Sequence, residues 1–205
     1  MTGPLLTDRF DTAFSRARAW HAEQTRKGTD IPYLGHLMHV SAFVIEAAGT
    51  EDQAIAALLH DALEDADDMA AYRERRERIA SEFGDHVLAL VDGCTDGSPA
   101  EKRDLTWHER KERHLAHLLG ADRRLLAVSL ADKLHNASAI LRDLRRHGPG
   151  FFDNLNASPA ETAWYYRSLS TVFTRRLDPD SPVGRMAAEL DRVVTELEAE
   201  VAGRG

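Results

Sequence analysis

The sequence predicts an all-α fold, an irregular multi-helix bundle. Three observations predict it. Apolar residues recur at three- and four-residue spacing along most of the chain. No stretch alternates apolar and polar side chains as a half-buried strand would. Glycine, proline and aspartate interrupt the apolar runs where helices would start or stop.

Asp8 is expected to cap a first helix through Phe10, Phe14, Ala17 and Trp20. Residues 27–32, Lys-Gly-Thr-Asp-Ile-Pro, break it. A second helix spans 36–48 and closes at Gly49. A third spans 51–65. A charged helix covers 69–83 and stops at Gly84, with Asp67 and Asp68 as its capping acids. A short apolar helix covers 85–91, and 93–99 is a loop. A polar helix over 105–119 ends at Gly120. Asp122 caps a run over 123–146 that carries Leu125, Leu126, Val128, Leu130 and Leu134, and Gly148-Pro149-Gly150 ends it. The last two helices span 161–177 and 183–201, and Gly203-Arg204-Gly205 frays.

Composition narrows the possibilities. A chain of 205 residues suits one domain with a substantial core. The domain is expected over 1–205, its core over about 8–178 and a C-terminal helix over about 183–202. With 43% hydrophobic and 29% charged residues, the chain reads as a soluble globular protein. A net charge of −8 argues against nucleic-acid binding as the main role, though local basic patches remain open to a small phosphorylated ligand. Cys94 is the one cysteine, so no internal disulfide forms and a reducing compartment is expected. Asp8, Arg9 and Asp11 interrupt any leader pattern, and no apolar run approaches membrane-spanning length. The expectation is a cytoplasmic protein with no membrane partner. Met186, Leu190, Val193, Val194 and Leu197 form a stripe that either closes the bundle or meets a second subunit, so a homo-oligomer stays open.

Candidate chemistry concentrates in four places: Gln24-Thr25-Arg26-Lys27, Tyr33-Leu34-Gly35-His36, His60-Asp61-Ala62-Leu63-Glu64-Asp65, and Ala131-Asp132-Lys133-Leu134-His135-Asn136. In a helix, residues four apart share a face about 6 Å apart along the axis. On that spacing His60 stands over Glu64 and Asp61 over Asp65. Each residue alone also has an ordinary structural role, such as a satisfied core histidine or an acidic surface turn. Two physical points favour chemistry. Asp61, Glu64 and Asp65 crowd negative charge near a helix C-terminus, where the dipole already disfavours anions and a cation would relieve the repulsion. Asp132 sits among Leu130, Ala131 and Leu134, and a buried carboxylate needs a partner.

The order His36, His60-Asp61, Asp132 resembles the HD-domain metal phosphohydrolases. The surrounding words are more specific. His21-x-x-Gln24-x-Arg26-Lys27, Pro32-Tyr33-x-x-His36, Ala57-Leu58-Leu59-His60-Asp61-x-x-Glu64-Asp65 and Leu130-Ala131-Asp132-Lys133-Leu134-His135-Asn136 are similar to the RelA/SpoT-type hydrolase domain, over about residues 14–175. The resemblance is to a small single-domain alarmone hydrolase with a bundle of the HD-domain type. It implies a (p)ppGpp 3′-pyrophosphohydrolase with one bound Mn²⁺, Fe²⁺ and Zn²⁺ also fitting the residue types. It implies His36, His60, Asp61 and Asp132 as metal ligands and Glu64 and Asp65 as the groups that activate water. It implies Arg26 and Lys27 near the base, Asn136 on the sugar-phosphate side, Lys111 at a phosphate and Tyr166 against the ligand. Leu37 and Ala66 stand where the family usually has proline and threonine, which bears on the choice of nucleotide. Two alternatives stay open: a phosphatase for another nucleotide (NADPH or an adenine alarmone), and a noncatalytic nucleotide-binding or antitoxin-like protein of the same fold.

Other residues read as structural. His39 shares a face with His36 but is not expected as a ligand, and His135 is expected to pack or to donate a supporting hydrogen bond. His114 and His117 are expected on a solvated face, Trp164 and Tyr165 in the core. The alternating run Arg73-Glu74-Arg75-Arg76-Glu77-Arg78 is expected as an exposed helix face.

Overall fold

The computed structural model describes residues 6–203. Arg204 and Gly205, expected to fray, lie outside the described residues. The order is α1 (Asp8–Trp20), α2 (Leu34–Glu46), α3 (Glu51–Leu59), α4 (Met69–Phe83), α5 (Asp85–Cys94), α6 (Pro99–Asp104), α7 (Trp107–Gly120), α8 (Arg123–His147), a 3₁₀ turn (Pro149–Asn154), α9 (Pro159–Arg176) and α10 (Pro182–Ala202). The all-α expectation holds: among the described residues the one β feature is an isolated bridge between Thr25 and Pro32.

Helix α3 forms the centre. Its residues from Gln53 to Leu59 are all buried, as expected of a helix apolar on every side. It packs against α1, α2, α5 and α8. The 25-residue α8 carries a stripe from Leu125 through Leu130 and Leu134 to Leu144 and touches α2, α3, α5, α9 and α10. The stripe on α10 is buried on α8 and α9, so it closes the bundle within this chain. Among the described residues no helix is long and apolar enough to cross a membrane.

Several element ends differ from the sequence reading. Thr7, not Asp8, caps α1: its hydroxyl accepts the Arg9 N–H at 3.3 Å and donates to Glu51 at 2.7 Å. Asp68 does cap α4, through the N–H groups of Ala70 and Ala71. Helix α2 starts at Leu34 and ends at Glu46, where Ala48 turns to φ 59° and the Gly49 N–H reaches the Val44 carbonyl at 2.9 Å. Helix α5 runs on to Cys94, and α6 occupies part of the segment next to the expected loop. Its start is a capping box of Ser98 and Glu101 with Pro99 in the first turn.

The difference that matters most lies after α3. The helix does not continue to Asp65; it stops at Leu59 and the chain turns. Side chains take the carbonyls that the helix would have used: Arg75 donates to Ala62 O at 2.8 Å and Lys102 to Glu64 O at 2.6 Å. The continuous helix on which Glu64 would stand over His60 is therefore not formed. Asp61 and Asp65 remain one turn apart, joined by the Asp65 N–H to the Asp61 carbonyl at 2.8 Å.

Candidate metal centre and cleft

Three elements bring the candidate ligands together. The first turn of α2 supplies His36, the turn that follows α3 supplies His60 and Asp61, and the middle of α8 supplies Asp132. His36, His60 and Asp132 are buried and turn one ligand atom each to a common point, all within 4.8 Å of one another. His36 Nε2 lies 3.3 Å from His60 Nε2 and 3.3 Å from Asp132 Oδ1. His60 Nε2 lies 3.5 Å from Asp132 Oδ1. Asp61 Oδ2 completes the cluster, 2.9 Å from His60 Nε2 and 3.5 Å from His36 Nε2. Donors about 2.1 Å from one ion sit about 3.0–3.4 Å apart in octahedral or tetrahedral geometry. The donor set fits a divalent cation in both residue type and spacing.

The imidazoles are turned for that role. His60 Nδ1 faces the Ala57 carbonyl at 2.8 Å and so carries the proton, which leaves Nε2 bare. His36 Nδ1 faces His135 Nδ1 at 2.8 Å. Burial, then the neighbouring His36, pushes the His135 pKa down to about 3, so His135 is neutral; a His36 that turns a bare Nε2 to a metal carries its proton on Nδ1 and would donate it to His135. His135 thus supports a ligand, and His39 stacks behind it with 4.8 Å between ring centres. Burial opposes ionisation of Asp61 and Asp132. The facing His60, with Lys133 beside Asp132, outweighs it and holds both carboxyls well below the usual range. Asp132 has protein partners too: it accepts from Lys133 at 2.6 Å and Asn136 at 2.5 Å. The Tyr33 hydroxyl donates to Asp61 at 2.6 Å.

A cleft of about 500 Å³ opens beside this cluster. Asp61 and Asp132 form part of its floor, with Glu64 and Asp65 on one side and Lys27, Lys111, Asn136 and Tyr166 around them. An adjoining, more apolar hollow is lined by Arg26, Lys27, Asn136 and Tyr166. Arg26 reaches it from a tight turn, in which Gly28 takes φ 72° and the Arg26 N–H bonds the Ile31 carbonyl at 2.9 Å. Its guanidinium donates to Asn136 at 3.1 Å, while Nη1 is buried with no partner. Of the site residues expected from sequence, Arg26, Lys27, Asp61, Glu64, Asp65, Lys111, Asp132, Asn136 and Tyr166 line the cleft or the adjoining hollow, and the buried His36 and His60 meet Asp61 and Asp132 beneath it.

Glu64 and Asp65 differ in their surroundings. Burial, then the nearby Asp96 carboxylate, raises the Glu64 pKa to about 7. Glu64 accepts the Asp96 N–H at 3.3 Å and has Lys102 3.6 Å away. Burial and Asp61 also push Asp65 up, while Gln24 donates to it at 2.8 Å.

Sequence reasoning missed several cleft residues. Lys133, which the motif leaves without a role, is half-buried at the cleft beside Asp132. Lys102 and Arg110 also line the cleft, and Asp96 bridges Arg110 and Lys111. Burial opposes ionisation of Asp96, but Lys111 holds its pKa well below normal. Tyr165 lines the cleft with a buried, unpartnered hydroxyl, where core packing alone was expected. His114 is buried, not solvated; burial lowers its pKa to about 3. His117 is exposed as expected. Arg75 and Arg76 are not a free face, because Arg75 holds the 62–65 turn and Arg76 pairs with Asp92 at 2.7 Å. These contacts link residues far apart in the chain, and no local pattern announces them.

Residues 13–159 match the family described as HD domain. The chain is 34% identical over 138 residues to the guanosine-3′,5′-bis(diphosphate) 3′-pyrophosphohydrolase of Aquifex aeolicus, covering 67% of this chain and 18% of that protein. It is 36% identical over 132 residues to the MESH1 guanosine-3′,5′-bis(diphosphate) 3′-pyrophosphohydrolase of Drosophila melanogaster, covering 63% of this chain and 65% of that protein. Against the long relatives the match spans less than a fifth of their length, and against MESH1 just under two thirds. Among solved structures, a metazoan ortholog of SpoT that hydrolyzes ppGpp superposes with a TM-score of 0.69 at 27% identity, covering 94% of this chain and 97% of that one. The structure of lmo0812 from Listeria monocytogenes superposes with a TM-score of 0.66 at 25% identity, covering 78% of this chain and 96% of that one.

Proposed function

This chain belongs to the HD-domain family, and from that membership we propose that it is a metal-dependent phosphohydrolase that removes the 3′-pyrophosphate from (p)ppGpp-like nucleotides. The observation that carries the reading is the adjacency of the His36, His60, Asp61 and Asp132 cluster to a cleft rich in lysine and arginine. The likeness to the SpoT ortholog over 94% of the chain supports the substrate class.

His36, His60, Asp61 and Asp132 would hold one divalent ion, for which Mn²⁺ suits two imidazoles and two carboxylates. When bound, the ion supplies Lewis acidity toward water and a phosphoryl oxygen. Glu64, with a pKa near neutrality, takes the proton of the attacking water. Asp65 orients that water through its free oxygen. The water oxygen bonds to phosphorus, the bond to the ribose 3′ oxygen breaks, that oxygen takes a proton and pyrophosphate leaves. Lys111 and Lys133, with Lys102 and Arg110 beside them, neutralise phosphate charge. Arg26 offers a flat cation to the base, with Lys27 beside it, Asn136 holds the sugar side and Tyr166 walls the hollow.

The test is metal analysis of the purified protein with phosphate and pyrophosphate release from a nucleotide panel that includes ppGpp, its adenine counterpart and NADPH. Mn²⁺-dependent release of pyrophosphate from ppGpp is expected. Preference for NADPH or the adenine nucleotide would reassign the substrate, and binding without turnover on the whole panel would sink the enzymatic reading.

A further inference from the structure

A hydrogen-bonded pair, the buried His21 and the half-buried Gln24, adjoins Asp65, and no role attaches to it in the chemistry above. His21 ends α1 and is 3% exposed. Its Nδ1 lies 2.6 Å from Gln24 Oε1, and Gln24 Nε2 donates to Asp65 Oδ2 at 2.8 Å. The order of these bonds is forced. An ionised carboxylate only accepts, so Gln24 must present its NH₂ to Asp65. Its carbonyl then faces His21, and a carbonyl only accepts, so His21 must carry its proton on Nδ1. His21 Nε2 is thereby left bare, and it is buried with no partner. The same ring stacks on Tyr33, with 5.4 Å between centres, and the Tyr33 hydroxyl donates to Asp61. One histidine from the end of α1 therefore braces two of the three carboxylates of the 60–65 turn, Asp61 and Asp65.

We propose that His21 and Gln24 form a positioning pair that fixes the Asp65 carboxylate toward the cleft: the His21 tautomer locks the Gln24 amide, and the amide orients Asp65. This rests on Asp65 serving the proposed hydrolysis. His21 stands off the cleft and Gln24 forms part of its wall; the pair acts on Asp65 through the 2.8 Å bond from Gln24, so the contribution of His21 falls on the turnover step and not on nucleotide binding.

The geometry and the catalysis are tested separately. In the ¹⁵N-labelled full chain, NMR of His21 should show Nδ1 protonated and Nε2 bare. His21→Phe keeps a ring against Tyr33 and removes the N–H; it should move the ¹³Cγ shift of Asp65. Gln24→Met keeps the length of the side chain and removes the amide. Each variant should lower kcat about tenfold, the usual scale for a lost supporting bond, with Mn²⁺ affinity unchanged, and His21→Phe, which lies off the cleft wall, should leave KM unchanged. The double variant should fall no further than Gln24→Met alone, because the two act as one unit. An Nε2-protonated His21, an unmoved Asp65 shift, or losses that multiply in the double variant would overturn the pair. Should the wild-type protein hydrolyse no nucleotide, the functional reading fails, while the tautomer and the carboxylate shift still decide whether the pair holds Asp65.

Discussion

The Nε2 atoms of His36 and His60 face each other across 3.3 Å, although 24 positions separate the two residues in the chain. Each ring spends its other nitrogen on a neighbour, His36 on His135 and His60 on Ala57. Two bare lone pairs at that distance repel. A proton or a cation between them removes the repulsion, and the Asp61 and Asp132 oxygens around them supply negative charge for either. Burial lowers the affinity of His60 for a proton, but the two carboxylates outweigh it and raise its pKa well above the usual value. Proton and metal therefore compete for one place.

The first expectation follows from that competition. His60→Ala and Asp61→Ala should each abolish metal binding and turnover. Elemental analysis after dialysis against Mn²⁺ measures the first, and pyrophosphate release the second. Wild-type protein should gain thermal stability on adding Mn²⁺, since the ion binds the folded cluster, and the variants should gain none. Equal Mn²⁺ content in wild type and both variants would remove this cluster as the metal site.

Glu64 gives the second. With its pKa at about 7, it is protonated in acid and ionised above neutrality. A base must be ionised to take a proton, so kcat should rise with pH through about 7. Glu64→Gln should retain the metal and lose most activity, about a hundredfold or more. A variant with full turnover would move the base elsewhere.

The same carboxyl affects folding, with a definite sign. Burial first, and Asp96 next, raise its folded pKa above the unfolded value of 4.5. The folded state then holds a proton that the unfolded chain has released. Its contribution to stability is fully present below about pH 4.5 and is lost as pH rises through about 7. Denaturant unfolding of metal-free protein at pH 5 and pH 8 should show this decline, and Glu64→Gln should flatten it. A wild-type decline matched by an equal one in Glu64→Gln would assign the slope to another group.

Much of this was legible in the sequence, and the rest was hidden for physical reasons. Long periodic segments such as α8 and α10 declared themselves, because burial of one face dictates their spacing. The His36, His60-Asp61 and Asp132 set stood in words specific enough to group it. The turn after Leu59 was not legible, because Arg75 and Lys102 hold its carbonyls from α4 and α6. The burial of His114 and the cleft position of Tyr165 depend likewise on how α7 and α9 pack. The capping box at Ser98 and Glu101 was readable, yet six residues of helix carry too little periodicity to reveal α6 without it.

Arg26 and Asn136 supply the fourth expectation. They share a 3.1 Å hydrogen bond at the boundary between the cleft and the adjoining hollow. Asn136 also donates to Asp132, so its amide joins the nucleotide side to the metal side. Arg26→Ala should raise KM about tenfold with a small change in kcat, since it removes binding shared by ground and transition states. Asn136→Ala should change both constants, and initial-rate kinetics on ppGpp separate the two patterns. An Arg26→Ala effect confined to kcat would place Arg26 at the reacting phosphate.

The last expectation concerns the fold apart from the chemistry. Ser181 caps α10 by accepting the Gly184 N–H at 2.9 Å, and its own hydroxyl donates to the Asp178 carbonyl at 2.6 Å. That tight return brings Gly184 against the 178–179 backbone, where a Cβ would collide with the Asp178 carbonyl oxygen. A backbone carbonyl has no rotamer by which to move aside, so the start of α10 must shift. Gly184→Ala should cost about 1–3 kcal/mol, the range for overpacking. For a chain of this size that corresponds to roughly 2–4 °C of Tm per kcal/mol. The cleft is lined by other elements, and α10 meets them through α8 and α9. The kcat of the folded variant at 25 °C should therefore equal that of the wild type. Thermal unfolding followed by circular dichroism reads the first outcome and pyrophosphate release the second. Unchanged Tm would mean that the α10 start adapts without cost, and lost kcat with unchanged Tm would tie α10 to the cleft.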